Sequence, residues 1–311
     1  MEITHPDEQL FDDAGVTKRD LVDYLAAVAE RMLPELAGRP LSVVRVRPGQ
    51  EPFMQKNLPR YAPDWVARVG VWAERSKREV TYALCGDEQT LLWFGNQRAV
   101  EYHPTLTRIN DPDSPITMVM DLDPPEGSGF GVVTAAAHLV RRALADAGMS
   151  GAVKTSGSKG VHVIIPVEAG TPVDEVAAAT RALAARAERL DPDLATSEFV
   201  KDRRQGKVFL DSTRAGGATI VAVYSPRIRP GTPVSFPVEW SALDGISPGD
   251  FTVANAVEAL RSRPDWASQL PEPQPLDPGL VEEGRGIPIA RVQAMHEGKR
   301  RAKARRDSEE K

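Results

Sequence analysis

The segment ITMVMDLDPPEG, at residues 116–127, constrains the fold more than any other part of the sequence. Its apolar half predicts a buried strand, and the two prolines must end that strand because proline has no N–H for a ladder hydrogen bond. Side chains alternate faces along a strand, so Asp121 and Asp123 project to the same side, roughly 7 Å apart. The sequence therefore predicts two carboxylates at the open end of a core strand.

Two carboxylates this close repel each other unless a cation compensates their charge. Oxygen ligands of this kind favour Mg²⁺ or Mn²⁺. The segment GKVFLD repeats the pattern, with an apolar strand leading into Asp211. A third acid on a second strand would complete a two-metal site, in which ions about 3.5–4 Å apart stabilise both oxygens of an in-line phosphoryl displacement.

The D-x-D pattern alone leaves other interpretations open. It also occurs in phosphatases of the haloacid-dehalogenase type and in glycosyltransferases. A capped turn that carries two solvated acids is a third explanation. The choice depends on which other groups the chain places near the acids.

A glycine–serine segment, VKTSGSKGVHVIIPV at 153–167, lies between a predicted helix and a predicted strand. Its glycines let backbone N–H groups approach an anion, and its serines and lysine add donors and charge. It lacks the spacing and the strand-to-helix order of a Walker loop. For the histidine of this segment, a satisfied core side chain is the alternative. We interpret the segment as a phosphate-binding loop with the candidate residues Ser156, Gly157, Ser158, Lys159, Gly160 and His162.

A basic segment, AVYSPRIRPG, follows the third acid. It brings Arg227 and Arg229 past the end of a predicted strand, and alternation places them on one face. Arginine is the preferred fork for phosphate oxygens. The alternative is a pair of surface arginines with no ligand.

Hydrophobic periodicity predicts alternating helices and strands through most of the chain. From 116 to 225 the order is strand, helix, strand, helix, strand, strand, which indicates a sheet with helices packed on it. The proline-rich stretch 263–284 is expected to wrap the surface, and the six basic residues within 299–306 form either a solvated tail or a loose nucleic-acid contact. Helices are predicted at 17–33, 131–148 and 172–191, and strands at 42–48, 78–85, 90–96, 161–167 and 219–225.

Composition places few limits on function. The net charge of −5 over 311 residues predicts no partner from bulk charge alone. The single cysteine, Cys85, excludes a disulfide framework within the chain and fits a reducing compartment. The acidic N-terminus lacks the plan of a signal peptide, and no apolar run approaches the ~18 residues of a membrane span. We therefore expect a cytoplasmic protein with no membrane partner.

Seven blocks, in order, resemble the polymerase domain of bacterial multifunctional DNA ligase D, in the archaeo-eukaryotic primase superfamily. The phosphatase alternative would require a nucleophilic aspartate followed by D-x-[TV], which DLDPP lacks. The blocks run from about residue 15 to 243 and read TKRDLVDYLAAVAERMLPELAGRP, FMQKNLPRYAPDWV, EYHPTL, VMDLDPPEG, KTSGSKGVHVIIPV, GKVFLD and AVYSPRIRPGTPVSFPVEWSAL.

The resemblance implies an α/β (α+β) fold, in which an RRM-like catalytic sheet with helices joins an N-terminal α/β module in one primase-polymerase domain. The expected division is a template-side module at 1–114, the catalytic core at 115–243, and a C-terminal wrap with a basic tail at 244–311. No K-x-D-G ligase signature occurs in the sequence. The resemblance therefore predicts a stand-alone primase-polymerase.

The resemblance also implies roles for individual residues. On the nucleotide side, the divalent-metal ligands of the family match Asp121, Asp123 and Asp211. The triphosphate cradle matches Ser158, Lys159, Gly160 and His162. The γ-phosphate clamp matches Arg227, and a histidine close to the incoming nucleotide matches His103. On the DNA side, Phe53 and Lys56 match a loop that meets the template, Arg204 matches an arginine near the catalytic centre, and Lys18 matches a lysine that binds the 5′-phosphate of a recessed end.

Two positions depart from the family pattern. Glu8 stands where family members carry a second lysine for the 5′-phosphate, and Met54 follows Phe53 in place of an aromatic pair. A carboxylate repels a phosphate. The sequence therefore predicts weak recognition of a phosphorylated break end.

The function that the resemblance implies is template-directed addition of NTPs or dNTPs to a primer 3′ end, with Mn²⁺ or Mg²⁺, in gap filling or end-joining repair. The expected partners are gapped or broken DNA ends, a separate DNA ligase and an end-binding protein, and the expected location is the nucleoid. Two alternatives remain. One is a primase that starts chains de novo, and the other is a DNA-end-binding module that has little catalysis and recruits a ligase.

Overall fold

The computed structural model describes residues 2–73, 77–215 and 218–289. Within these ranges the chain builds two larger sheets, of five and six strands, and a small two-stranded sheet. Helices pack on both larger sheets. The elements of the first half are α1 (Lys18–Leu36), β1 (Pro40–Arg47), β2 (Gln50–Gln55), β3 (Arg68–Ala73), β4 (Arg78–Leu84), α2 (Glu88–Asn96), β5 (Ala99–Pro104), β6 (Thr107–Arg108) and β7 (Asp111–Pro115).

The first larger sheet is antiparallel, with the strand order β2-β1-β4-β3 and with β5 paired to β1. Helix α1 begins as predicted at Thr17, whose hydroxyl accepts from the Asp20 backbone N–H while the Asp20 carboxylate accepts from the Thr17 N–H. Its buried residues include Leu21, Leu25 and Val28, the stripe that the periodicity indicates. This sheet carries β5, which delivers side chains to the site described below.

Residues 90–96 were predicted as a strand and lie instead in helix α2, so that prediction is wrong. Asp87 is the N-cap, and its carboxylate accepts from the Thr90 backbone N–H at 2.8 Å. Gly95 lets α2 approach α1, since a Cβ there would lie 2.7 Å from Leu25 Cδ1. A short apolar run fits a buried helix as well as a buried strand, and the cap selected the helix.

The second half forms the six-stranded sheet, with the order β11-β12-β8-β10-β9-β13. Its pairs are antiparallel except β11 with β12. Its elements are β8 (Thr117–Asp123), α3 (Phe130–Asp146), β9 (Ala152–Thr155), β10 (Val161–Pro166), α4 (Val173–Leu190), β11 (Ala195–Thr196), β12 (Val208–Asp211), β13 (Pro237–Val238), α5 (Ala256–Arg261), α6 (Trp266–Gln269) and α7 (Pro278–Gly286).

Strand β8 lies inside this sheet, between β10 and β12, which is why its apolar run is buried. Helices α3 and α4 contribute most of the apolar residues that pack with it. The mixed helix-and-sheet architecture confirms the predicted fold class.

The predicted strand at 219–225 is wrong. Within residues 219–225 the only β-type pairing is one isolated bridge, between Thr219 and Thr105. Its backbone still follows β5, because the Ile220 and Ala222 N–H groups donate to carbonyl oxygens of that strand. Tyr224 has a φ of +67°, which breaks the extended run before a ladder forms.

The C-terminal part of the described chain packs tightly against the rest. Helix α7 falls within the predicted wrap and lies so close to α4 that a Cβ on Gly284 would stand 1.8 Å from the Ala178 carbonyl oxygen. Residues between 220 and 266 share one hydrophobic core with the N-terminal helices and strands. The division at 114 and 243 stays a prediction, and the basic residues 299–306 lie outside the described residues.

Candidate active site

The three predicted acids lie on adjacent strands of the six-stranded sheet. Register pairs Asp211 with Asp121, so their Cβ atoms are about 4.5–5.5 Å apart on one face. Asp123 lies two residues further along β8, on the same face and at the exposed end of the strand. Asp121 and Asp211 are buried. The structure therefore places the three carboxylates on one face of two adjacent strands.

Arg214 lies between two of the acids, and sequence reasoning missed it. Its Nη2 is 2.7 Å from Asp121 Oδ2, and its Nε is 3.6 Å from Asp211 Oδ2. The only signal in sequence is its position three residues after Asp211. The guanidinium supplies positive charge to a cluster that would otherwise repel itself.

A buried polar chain lies behind Asp121. His162 Nε2 is 3.2 Å from Asp121 Oδ1, and Lys154 Nζ is 2.8 Å from His162 Nδ1 and 2.6 Å from Ser235 Oγ. Burial lowers the pKa of His162 to about 4, helped by the nearby Lys154 ammonium. Neutral His162 then donates from Nε2 to Asp121 and accepts at Nδ1 from Lys154. The lysine had no place in the sequence predictions.

These surroundings separate the pKa values of the acids. Burial would raise the pKa of Asp121, but the His162 ring and Arg214 together hold it well below its usual range. Burial, with the negative charges of Asp121 and Asp211, raises the pKa of Asp123 to about 6. Arg214 and Arg204 lower the pKa of Asp123 but do not offset burial and the two neighbouring acids.

The acids fit a hard divalent ion by their chemistry. Three carboxylates with no thiolate suit Mg²⁺ or Mn²⁺, and at Asp123 burial and the two neighbouring acids outweigh the nearby arginines, which raises the pKa. Among the residues that the structure describes, no group of three or more His, Cys, Asp or Glu side chains converges as a metal cluster. Asp121 and Asp211 instead face Arg214.

The turn between β9 and β10 carries the predicted anion loop. Ser156 Oγ accepts from the Ser158 N–H at 3.2 Å and from the Gly160 N–H at 3.0 Å, which holds the turn together. A Cβ on Gly160 would lie 2.3 Å from the Leu122 carbonyl oxygen, so only glycine fits against β8. Lys159 is exposed. The loop therefore lies directly beside the strand that carries Asp121 and Asp123.

The two predicted arginines contact this loop. Arg227 Nη1 donates to the Ser156 carbonyl oxygen at 2.6 Å, and Arg229 Nε donates to Ser158 Oγ at 3.1 Å. Gly157 has a φ of +67°, and a Cβ there would lie 2.7 Å from Arg227 Cγ. The loop and the basic segment therefore form one surface.

Glu101 joins the predicted His103 to Arg227 and was missed from sequence. Its Oε2 is 2.9 Å from His103 Nε2, and its Oε1 is 3.1 Å from Arg227 Nε. Burial would raise the pKa of Glu101, but these two neighbours and the Ile228 N–H lower it to about 2. Its position two residues before His103, on the same face of β5, is the signal that sequence offers.

Several of these groups line one cleft, with a cavity of about 460 Å³. Asp121 and Asp123 lie on its wall, together with His103 and His162. Cations outnumber acids there, so the cleft favours an anion. The basic residues of the lining are Lys159, Lys201, Arg204, Arg214, Arg227 and Arg229.

The predicted DNA contacts are more scattered. Phe53 is half-buried, with the Arg47 guanidinium 4.8 Å from its ring centroid, and Lys56 is exposed. Arg204 lines the cleft, where its guanidinium lies 3.6 Å from the Phe209 ring centroid. Arg204 also donates to the Phe199 carbonyl oxygen, which fixes its direction.

Lys18 does not reach solvent. It is buried, and its ammonium donates to the Thr4 carbonyl oxygen and, at 2.7 Å, to Thr4 Oγ1. Burial lowers its pKa, helped by the nearby Arg98. Glu8 pairs with Arg98, with 2.6 Å between Oε2 and Nη1. Lys18 is not among the residues that line the cleft, and in this arrangement its ammonium is not exposed to receive the predicted 5′-phosphate.

The chain matches a family model and several known proteins. The family model for the primase-polymerase domain of LigD matches residues 17–267. The multifunctional non-homologous end joining DNA repair protein LigD of Mycobacterium tuberculosis (strain H37Rv) is 38% identical over 253 residues, covering 78% of this chain and 33% of the relative. The bifunctional non-homologous end joining protein LigD of Bacillus subtilis (strain 168) is 32% identical over 269 residues, covering 85% of this chain and 43% of the relative.

A solved structure agrees. The polymerase domain from Mycobacterium tuberculosis ligase D, in complex with DNA, superposes with a TM-score of 0.78 and 34% identity. The match covers 87% of this chain and 97% of that domain. By contrast, the chain spans about a third of the length of the mycobacterial full-length relatives.

The fold and the cleft define a DNA-directed nucleotidyltransferase of the primase-polymerase type. The chain belongs to the LigD primase-polymerase domain family. The resemblance drawn from the sequence is thereby confirmed, and the phosphatase and glycosyltransferase alternatives are removed. In the described ranges, no helix combines the length and the apolar character that a membrane crossing requires.

Proposed function

We propose that the chain adds NTPs or dNTPs to the 3′ end of a primer on a DNA template, during gap filling or end-joining repair. One observation carries the proposal. The acids of β8 face the same cleft as the anion loop and Arg227, so an α-phosphorus and a polyphosphate tail fit side by side. The names of the relatives, which refer to non-homologous end joining, support the repair context.

Asp121, Asp123 and Asp211 would hold Mn²⁺ or Mg²⁺. Such ions, when bound, lower the pKa of an attacking 3′-hydroxyl and offset the charge of a leaving pyrophosphate. The acids fix the place of the reaction because two of them are buried on adjacent strands. His162 holds Asp121 in one orientation through the bond to Oδ1.

The anion loop and the arginines would bind and orient the triphosphate. Lys159, which belongs to the loop, and Arg227, which donates to the Ser156 carbonyl oxygen, both line the cleft and supply positive charge. Ser158, Gly160 and the glycine turn let the backbone approach phosphate oxygens. Holding the tail in this way aligns the leaving pyrophosphate with the incoming hydroxyl, and such positioning is, with electrostatic stabilisation, what a protein contributes to phosphoryl transfer.

The DNA side of the proposal rests on Phe53, Lys56 and Arg204. Phe53 and the exposed Lys56 offer a ring and a cation, the pair of groups that hold single-stranded nucleic acid. We assign Arg204 to the primer end on the ground that it lines the cleft beside Asp123. The relative with a solved structure is a complex with DNA. We further propose association with the nucleoid, with a separate DNA ligase and with an end-binding protein.

The test is extension of defined DNA. Purified protein is incubated with a 5′-phosphorylated gapped duplex, a blunt duplex or a bare single strand, each with NTPs or dNTPs and with Mn²⁺ or Mg²⁺. We expect extension of the gapped primer that stops when the gap is filled. Products without any primer would instead indicate a de novo primase.

The matched variants are Asp123→Ala, in the cleft, and Asp113→Ala, at an exposed position of β7. We expect the first to abolish extension and the second to leave it unchanged. Extension that persists in Asp123→Ala would refute the assignment of the acids. DNA binding without extension by the wild-type protein would favour the end-binding module.

A further inference from the structure

The carboxylate of Glu101 lies where the two halves of the protein meet at the cleft. It projects from β5 of the first sheet, on the same face as His103. Arg227, its other partner, lies 126 residues later and contacts the anion loop of the second sheet. Glu101 therefore links two side chains, from segments far apart in sequence, that both line the cleft.

Both oxygens of Glu101 are used. Oε2 contacts His103 Nε2 at 2.9 Å. Oε1 accepts from the Ile228 backbone N–H at 3.0 Å and is 3.1 Å from Arg227 Nε. One carboxylate thus holds an imidazole, a guanidinium and the backbone of the basic segment.

The carboxylate is charged, and its surroundings require that charge. Glu101 is only 7% exposed, and an unpaired ion at such a depth is strongly unfavourable. Its partners hold the pKa at about 2, so the group is ionised at neutral pH. Removing the charge would leave Arg227, whose side chain is also largely buried, without its counter-ion.

Arg227 is fixed at two points by this arrangement. Nη1 is bound to the Ser156 carbonyl oxygen, and Nε is paired with Glu101. A free arginine loses rotamer entropy when a ligand immobilises it. In Arg227 that entropy is already lost in the folded protein, so binding a ligand does not have to pay for it again. Preorganisation of this kind raises the affinity for the ligand.

We propose that Glu101 is a positioning residue for the nucleotide: it holds Arg227 and His103 in one arrangement, so that the cleft receives a triphosphate tail and the adjoining nucleoside together. The inference rests on the proposed function, because it takes an NTP as the ligand of Arg227. It predicts that loss of the Glu101 charge weakens the binding of triphosphates more than the binding of diphosphates, because a mobile Arg227 no longer contacts the terminal phosphate.

The test uses Glu101→Gln, which keeps the size of the side chain and an acceptor for the Ile228 N–H. Glu258→Gln, in the exposed pair with Arg261, is the matched control. We measure KM for ATP and kcat on the gapped duplex, the affinity for that duplex, and the direct binding of fluorescent ATP and ADP. We expect the KM to rise about tenfold in Glu101→Gln, a change of about 1.4 kcal/mol in binding. The kcat and the DNA affinity should change by less than about threefold.

Two further variants separate positioning from general structure. In an Arg227→Ala background, Glu101→Gln should add little to the KM, because the two residues act through one contact. Glu101→Asp keeps the charge and should recover part of the lost affinity. An unchanged KM and ATP affinity in Glu101→Gln would overturn the inference. So would effects of Glu101→Gln and Arg227→Ala on the KM that simply add, or a Glu101→Gln variant that changes only in melting temperature. Absent extension by the wild-type protein would refute the proposed function instead, and the fluorescent ATP would still decide the role of Glu101.

Discussion

Arg214 Nη2 lies 2.7 Å from Asp121 Oδ2, and the same guanidinium faces Asp211. With His162 on the other oxygen, Asp121 has a partner on each side. The carboxylate that is expected to hold a divalent ion is thus already engaged by a cation of this chain. Arg214 and a metal ion would compete for the same oxygen.

We therefore expect Arg214→Gln to bind Mn²⁺ more tightly than the wild-type protein, by about tenfold, or about 1.4 kcal/mol. Removing the guanidinium frees Asp121 Oδ2 and removes a positive charge that repels the ion. Electron paramagnetic resonance of free Mn²⁺ measures the affinity without turnover. Arg261→Gln, at the surface, is the control and should bind Mn²⁺ as the wild type does. Weaker binding in Arg214→Gln would show that the arginine supports the ion.

The pKa of Asp123 predicts a pH dependence of stability. Because burial and the neighbouring acids raise that pKa from 3.8 to about 6, the fold favours the protonated carboxyl. The resulting stabilisation is complete below about pH 3.8, the ordinary pKa of an aspartate, and is lost as the pH rises through 6. Asp123 is exposed at the end of its strand, so solvent reduces the size of the effect.

The measurement is thermal unfolding of Asp123→Asn and wild type in a chelator, from pH 4 to pH 8. We expect the melting temperature of the variant to exceed that of the wild type above about pH 6 and the two to converge towards pH 4. A constant difference across this range would contradict the origin that we assign to the shift.

Gly160 predicts a steric effect at the anion loop. A Cβ at this position would meet the Leu122 carbonyl oxygen at 2.3 Å, so Gly160→Ala must push the loop away from β8. We expect the variant to lose about 1–3 kcal/mol of folding free energy and to bind ATP less tightly. Denaturant unfolding and fluorescent ATP measure the two effects.

Gly131→Ala is the matched control for this substitution, because a Cβ at Gly131 has nothing within 4 Å. It should leave ATP binding unchanged. Equal ATP affinities for Gly160→Ala and the wild type would mean that this loop does not bind the triphosphate.

The N-terminal segment predicts weak discrimination of 5′-phosphorylated ends. The Lys18 ammonium donates hydrogen bonds to Thr4, and Glu8 forms an ion pair with Arg98. We expect gapped duplexes with a 5′-phosphate or a 5′-hydroxyl to differ in affinity by less than about threefold, the scale of one exposed charge contact. Titrations at one fixed salt concentration measure the ratio, since phosphate contacts depend on salt. A strong preference for the phosphate that disappears in Lys18→Ala would show that the segment opens to release the lysine.

Local patterns predicted those parts of the protein whose causes are themselves local. Thr17 and Asp20 are enough to begin α1, and the prolines after Asp123 are enough to end β8. The same kind of reasoning failed at 90–96, because a short apolar run is compatible with two backbone conformations. It also failed at 219–225, where the φ of Tyr224 interrupts a stretch with strand-like composition.

The sequence by itself determined the family, the strand that ends in Asp121 and Asp123, and the glycine–serine loop, because spacing along one segment sets these features. Only the tertiary structure decided which charges meet. Glu101 reaches Arg227 from 126 residues away, and Lys154, Ser235 and His162 combine behind Asp121. Arg214 is near Asp211 in sequence, yet only the pairing of β8 with β12 brings it to Asp121. The physical reason is that a charged group needs a partner only once it is buried, because burial removes it from water at a cost in free energy. Burial exists only after distant segments have packed together.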